Sequence, residues 1–441
     1  MTSRSAPAAA ALCLFVLPIL LAHPATVRSR SSAASGQAGE TVAFVGARIL
    51  DGTGAPPVEN GVLVVRDGRV AAVGPAGTAV PDGARRVDVA GRTILPGLVN
   101  AHGHVSNVRG LKGSPEFYTP EHVRAQLALY ARYGVTTVFS LGDDGPAGIE
   151  VRDAQRQSPD RARFFLAGPV IAGSDAAAVR KAVDEVIGMN VDLVKIRVDD
   201  NLGASPKMPP AAWRAAIEQA HAGKLRLAAH IFYLEDAKAI LAAGGDFIAH
   251  SVRDQPVDAA FIEQLKTRDV CLCPTLMREV STFVYETRPA FFDDPFFRRA
   301  ADPGTIQALE APSYQAAVRK GNGARYKVAL DVAKANLKRL SDAGVRIAFG
   351  TDTGPAGRFQ GYFEHLELEQ MVSAGLTPMQ ALVSATGDAA RCMKVDDRLG
   401  TLRPGREADF IVLTRNPLED IRHTRTLEQV WIAGRQFSSA Q

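Results

Sequence analysis

His102 and His104 stand on either side of Gly103 at the end of an apolar run, LVNAHGHV. In a strand, successive side chains point to opposite faces, so residues two apart share one face. Both imidazoles therefore point the same way, and neutral imidazole nitrogens are good ligands for zinc-like divalent ions. A bare His-x-His is also an ordinary pair of loop histidines, so the rest of the chain has to decide. Four more polar groups stand in short apolar runs: Lys195 in DLVKIRV, His230 in LRLAAHI, His250 in DFIAHSV and Asp352 in VRIAFGTD. Apart from Lys195, all are residue types that bind divalent metals. The chemistry this points to is the binding of divalent metal ions.

Lys195 needs a separate argument, because an ammonium beside two dications would be repelled and its pKa depressed. A neutral amine takes up carbon dioxide as a carbamate, whose two oxygens could bridge metals about 3.5–4 Å apart. Failing that, Lys195 would pair with Asp199 or Asp352. Asp352 is placed to act both as ligand and as proton shuttle from the water to a leaving amine. Tyr233, close after His230, could donate to a substrate carbonyl or a developing oxyanion. Arg253 could hold a substrate carboxylate in a bidentate fork, or pair with Asp254. His365, surrounded by Glu364, Glu367 and Glu369, is not at a strand end and reads as a solvated or supporting residue.

The elements that must carry these residues follow a rhythm of strand, then helix. Eight strand-like runs alternate with helical ones, which closes naturally as a parallel (β/α)8 TIM-like barrel with functional groups at the strands' C-terminal ends. A doubly wound sheet is the alternative, but no Gly-rich phosphate loop follows any strand. Short alternating strands at 41–95 and 400–441 read as a small β-sandwich domain formed from both termini, around a barrel at 96–399. Asp67-Gly68 marks a hairpin with a primed turn. The stretch 278–326 is too long for a plain connection and reads as a lid or an oligomer contact.

Taken together, PGLVNAHGHVS, YGVTTVFSLG, the VKI at Lys195, AAH at His230, FIAHS at His250, FGTDTG and the closing GLTPMQALVSATGDAARC resemble the amidohydrolase superfamily. The pattern is nearest to its imidazolonepropionase-like and Xaa-Pro dipeptidase (prolidase)-like group, and covers about residues 41–436. The resemblance implies a deformed barrel, a β-sandwich from both ends and two divalent metals, usually zinc. It implies that His102, His104 and Asp352 hold one ion, His230 and His250 the other, with carbamylated Lys195 between them. The chain departs from that group at Ala249, where an acidic residue is frequent, and at Phe139-Ser140, where Arg-Asp is frequent. Both positions bear on the substrate pocket. The expected substrate is a small molecule, a dipeptide or N-acylated amino acid. Cyclic amides, lactones and organophosphates would serve the same water, and a catalytically dead barrel acting as a binding protein is disfavoured because no ligand position is replaced.

Composition sets the outer bounds. A chain of 441 residues with 46% hydrophobic and 22% charged residues can bury a sizeable globular core. A net charge of +4 against 51 basic and 47 acidic residues, with no basic stripe, gives no case for nucleic acid. Residues 1–34 read as a signal peptide and linker: ALCLFVLPILLA has the length of a signal-peptide core and is short for a membrane span. A secreted or periplasmic protein without a stable membrane anchor follows, and a homo-oligomer fits equally. Cys13 falls inside that apolar run, and Cys271, Cys273 and Cys392 read as buried free thiols with no disulfide framework.

Overall fold

The computed structural model describes residues 40–154 and 160–438, so the export segment expected at 1–34 lies outside the described residues. Five strands open it: β1 (Thr41–Ile49), β2 (Val58–Arg66), β3 (Arg69–Gly74), β4 (Arg85–Asp88) and β5 (Thr93–Pro96). One residue later β6 (Leu98–Gly103) begins, followed by a small hairpin of β7 (Val108–Arg109) and β8 (Lys112–Gly113). Then β9 (Val135–Ser140), β10 (Arg163–Leu166), β11 (Val194–Arg197), β12 (Leu227–His230), β13 (Phe247–Ala249) and β14 (Cys271–Cys273) alternate with helices. β15 (Phe410–Leu413), β16 (Leu427–Ile432) and β17 (Arg435–Gln436) close the chain.

Strands from the two ends form one eight-stranded sheet, in the order β17-β16-β15-β5-β1-β2-β3 with β4 on β1. β15 pairs antiparallel with β5, from Phe410 opposite Pro96 to Leu413 opposite Thr93. An aromatic trio holds the two ends together: Phe410 stacks on Trp431 at 5.6 Å, and Phe44 meets both edge-on at 5.0 and 4.9 Å. The β2–β3 turn has positive φ at both Asp67 (51°) and Gly68 (75°), the signature of a type I′ turn. Gly97 carries the chain from β5 into β6, and a Cβ there would sit 2.2 Å from Thr136, so only glycine lets β6 lie this close to β9.

The middle strands form two parallel sheets, β10-β9-β6 and β11-β12-β13-β14. Single bridges extend them, Ile171 to Ile196 and Leu272 to Ile347. The Ala101 amide donates to the Phe349 carbonyl at 2.8 Å. This parallel α/β arrangement is consistent with a TIM-like barrel. One sequence expectation needs correction here: VRIAFGTD is an extended segment with a single bridge and not a full strand. Its backbone bonds are shared among Leu272, Ala101 and Ser384, and then Asp352 turns to φ 58°, so no ladder develops.

The 278–326 stretch folds into short helices whose Tyr285, Phe292, Phe297 and Leu309 form a separate apolar cluster with Tyr133, Tyr362 and Phe363. No helix among the described residues is long and apolar enough to cross a membrane.

The cysteines also differ from expectation. Cys271 and Cys392 form a disulfide with Cα atoms 5.8 Å apart, and only Cys273 is a free, buried thiol among the described residues. Strand geometry does prevent Cys271 from bridging Cys273, but the helical turn Ala389–Cys392 packs against β14 and delivers Cys392 across 121 residues. Closing a loop of that length constrains the unfolded chain. Cys392→Ser should lower unfolding stability by about 2–4 kcal/mol in urea titrations of oxidised parent and variant.

Candidate metal centre

β6 ends in the His-x-His, and its backbone is fixed before any metal is considered. The His102 amide donates to the Asn100 side-chain oxygen at 2.9 Å, while Tyr130 donates to the His104 carbonyl at 3.1 Å. From the opposite side, the amides of Thr351 and Asp352 both donate to the His102 carbonyl, at 3.0 and 2.7 Å. This brings Asp352 onto the histidines: its Oδ1 lies 2.8 Å from His104 Nε2 and 3.4 Å from His102 Nε2. Arg358 pairs with the other carboxylate oxygen. The second ring nitrogen of His104 lies 3.2 Å from the Gly142 carbonyl.

The other strands close the cluster. Lys195, buried on β11, places its amine 3.3 Å from His102 Nε2. His230 ends β12, with Nε2 2.8 Å from Asp199 Oδ2 and its ring 4.1 Å from that of His250. His250 follows β13, its Nδ1 2.6 Å from the Thr275 hydroxyl and its ring 4.6 Å from His102. His250 (φ 74°), Thr275 (48°) and Asp352 (58°) all sit in the left-handed region. Each such conformation costs on the order of 1–3 kcal/mol and persists where the surroundings enforce it, as at functional sites.

Electrostatics prepare these groups for a cation. Burial pushes His102 and His250 well below the usual histidine range and His230 down to about 3, so all three are neutral, the form that binds metal. His104 moves up: burial is the largest single influence and opposes its charge, but the hydrogen bond to Asp352, the charge of Asp352 and the Gly142 carbonyl together outweigh it. Burial alone would raise Asp352, yet Arg358 and the two histidines hold it well below the carboxylate range. Burial pulls Lys195 down to about 8, against the attraction of Asp352.

The residues fit a divalent ion. Donor atoms of His102, His250 and Asp352 lie within 4.8 Å of one another, and His102 Nδ1 is buried without a hydrogen-bond partner. Neutral imidazoles with a carboxylate are a zinc-type donor set. The cluster opens onto a cavity of ≈ 370 Å³, also lined by Arg197, Arg278 and Arg358.

Two residues expected at the substrate are committed elsewhere. The Tyr233 hydroxyl donates to Asp200 Oδ1 at 3.0 Å, and Lys207 lies over its ring. Arg253 is fully buried, donating to the Ile231 and Ser251 carbonyls at 2.8 and 2.7 Å, with its Nε 3.0 Å from Glu279. Asp254, its expected partner, instead accepts the Leu234 amide. His365 is not solvated: it is buried, its ring nitrogens 2.9 Å from the Thr424 hydroxyl and 2.8 Å from the Tyr133 carbonyl.

Sequence reasoning missed Arg197, Arg278 and Arg358 on the cavity and cast Asp199 only as a partner for Lys195. Asp199 follows the β11 strand by two residues, a strand-end position that could have marked it as a partner for His230. Arg358 comes from a glycine-rich loop and carries no spacing signal.

Asp144, buried beside this wall, accepts from Tyr118 at 3.2 Å and from the Ala167 amide at 3.3 Å. Burial raises its carboxyl to about 8. Between about pH 4 and that value the native state holds a proton the unfolded chain has lost, so stability falls as pH rises through the window. Asp144→Asn removes that dependence, and its melting temperature should gain on the parent from pH 5 to pH 8.

Comparison with known proteins bears on the family and the fold. The sequence profile of the amidohydrolase family matches residues 93–437. Ochratoxinase of Aspergillus niger is 27% identical over 326 residues, 70% of this chain but only 58% of that protein's length. Among solved structures, a Xaa-Pro dipeptidase with methionine bound in its active site superposes with a TM-score of 0.72 at 21% identity, over 90% of this chain and 100% of its own. Molinate hydrolase superposes with a TM-score of 0.71 at 22% identity, over 91% of this chain and 96% of its own. Those two likenesses are of fold. A profile match across most of the chain shows that the protein belongs to the amidohydrolase family.

Proposed function

We propose that this protein is an exported binuclear metallohydrolase that cleaves the amide bond of dipeptides or N-acylated amino acids. The observation that carries the reading is the convergence of His102, His104, His230, His250 and Asp352 around a buried Lys195, with all of these but His250 lining one cavity. In this reading the two parallel sheets close as a (β/α)8 barrel, and the end sheet belongs to a small β-sandwich domain. His102, His104 and Asp352 would hold one ion and His230 and His250 the other, with Lys195 as a carbamate between them and zinc the first choice of metal. When bound, such ions polarise a carbonyl and lower the pKa of a water toward neutrality.

The chain's own residues do the rest. Asp352, held ionised by Arg358, accepts the water's proton and returns it to the departing amine. His104 is oriented by the Gly142 carbonyl, and His250 by Thr275. Arg197 and Arg278, facing the cavity, supply the positive charge that a substrate carboxylate needs, the role first read onto Arg253.

The test is to produce the protein with zinc and bicarbonate, count metals, and assay a panel of dipeptides and N-acyl amino acids alongside their carboxamides and a lactone. About two ions per chain, hydrolysis abolished by chelation and restored by zinc, and carboxamides slower by roughly 10–100-fold are expected, since a hydrogen bond to a charged group contributes about 1.5–3 kcal/mol. Turnover that survives complete metal removal would overturn the reading. A preference for the lactone would move the substrate and keep the centre.

A further inference from the structure

Helix Tyr362–Ser373 is buried on most of its circumference, including two carboxylates one turn apart, Glu364 and Glu367. Charged side chains are almost never fully buried unless paired. Gly361, at φ 81°, seats the helix: a Cβ there would meet the Tyr133 ring at 2.4 Å. Neither glutamate lines the cavity. Each instead reaches the backbone that carries one part of the metal centre.

Glu364 Oε1 accepts three hydrogen bonds: from the Asn100 side-chain Nδ2 at 2.6 Å, the Thr351 hydroxyl at 2.9 Å and the Thr353 hydroxyl at 2.8 Å. Asn100 in turn holds the His102 amide, and Thr351 and Thr353 flank Asp352. Its Oε2 has no partner. Glu367 is used differently. Its two oxygens accept the amides of Leu276 and Met277, at 2.8 and 2.6 Å. Those amides follow Thr275, which is left-handed and bonded to His250 Nδ1.

We propose that Glu364 and Glu367 are positioning residues for the centre, Glu364 fixing the His102 and Asp352 side and Glu367 fixing Thr275 and so the ring of His250. One helix thereby braces two ligand groups carried by separate segments of the chain. The inference rests on the metal-binding reading above. It also carries a chemical asymmetry. A glutamine at 364 keeps a carbonyl oxygen for the three donors, and its NH2 takes the place of an oxygen that bonds to nothing. A glutamine at 367 must turn its NH2 toward a backbone N–H and lose one of two bonds.

The experiment compares parent, E364Q, E364L and E367Q, each stripped and titrated with cobalt(II) and zinc, with the cobalt visible spectrum recording ligand geometry. Circular dichroism confirms folding. E364Q should recover most of what E364L loses, while E367Q should bind metal about 10–100-fold more weakly, the usual scale for groups that orient ligands, with an altered spectrum. If E367Q does not fold, Thr275→Val against Thr275→Ser decides that arm, the serine retaining the parent spectrum and the valine losing it. If E364L does not fold, the spectrum and affinity of E364Q decide the other arm, parent-like values supporting positioning through Oε1 and a large loss overturning it. Folded E364L and E367Q with parent affinity and spectrum would overturn the proposal. A parent that binds neither metal would instead overturn the metal-binding reading itself.

Discussion

Lys195→Ala should leave the protein folded, with about one divalent ion fewer per chain and hydrolysis reduced by roughly 10³-fold or more. On the proposed function, the variant would lose a bridging anion and with it the charge stabilisation that a second ion would give a transition state, several kcal/mol at 1.36 kcal/mol per factor of ten. The lysine is 2% exposed and its amine touches His102, so alanine opens a small space and leaves no unpaired charge behind. That space supplies an internal control. Acetate or propionate can enter it and offer two carboxylate oxygens where the proposed carbamate would stand, so millimolar short-chain acids should restore part of the lost metal and turnover together. Metal analysis and steady-state kinetics across an acid titration check both statements. An alanine variant with the parent's metal content and rate would remove the bridging lysine from the mechanism.

Asp352→Asn should lower kcat by about 10²–10⁴-fold, the range for loss of a positioned proton-transfer group. Asparagine is the conservative choice because it accepts the left-handed backbone, φ 58°, that residue 352 adopts. The fold should therefore survive, as circular dichroism and melting will report. What is lost is the anion that His104 and Arg358 both contact. Substrates with better leaving groups need less protonation on departure, so the deficit should shrink for activated anilides relative to alkyl amides. An equal deficit for both would assign Asp352 a ligand role alone.

Much of the centre could be read from the sequence because its residues sit where short-range rules are strict. A period of two put His102 and His104 on one face, and the strand-helix rhythm put Lys195, His230, His250 and Asp352 at comparable ends. Direction of side chains beyond the strand was not readable. Arg253 and Tyr233 closely follow candidate ligands in sequence, yet Arg253 turns into the protein toward Glu279 and the Tyr233 hydroxyl is held by Asp200. The cavity arginines come from three separate segments, and no local pattern joins Arg197 to Arg278 or Arg358. The disulfide failed for the same reason, since 121 residues separate its cysteines. Of the two readings of His365, the solvated one fails: the charges around it suggested water, but two of those glutamates point inward to bind backbone and hydroxyl groups.

The sheet built from both chain ends imposes an order of events during synthesis. β6, which carries His102, continues directly from β5, and β5 has β15 for one neighbour. A contact such as Arg69 with the Gly405 carbonyl spans 336 positions. The start of the chain therefore waits, with an open strand edge, until nearly all of the protein has left the ribosome. Contacts of such separation make folding slow, and an unpaired edge in the interval invites association with other chains. Removing the last thirty or so residues would expose that edge permanently, so yield and solubility would suffer well before the candidate metal ligands, all of them upstream, were touched.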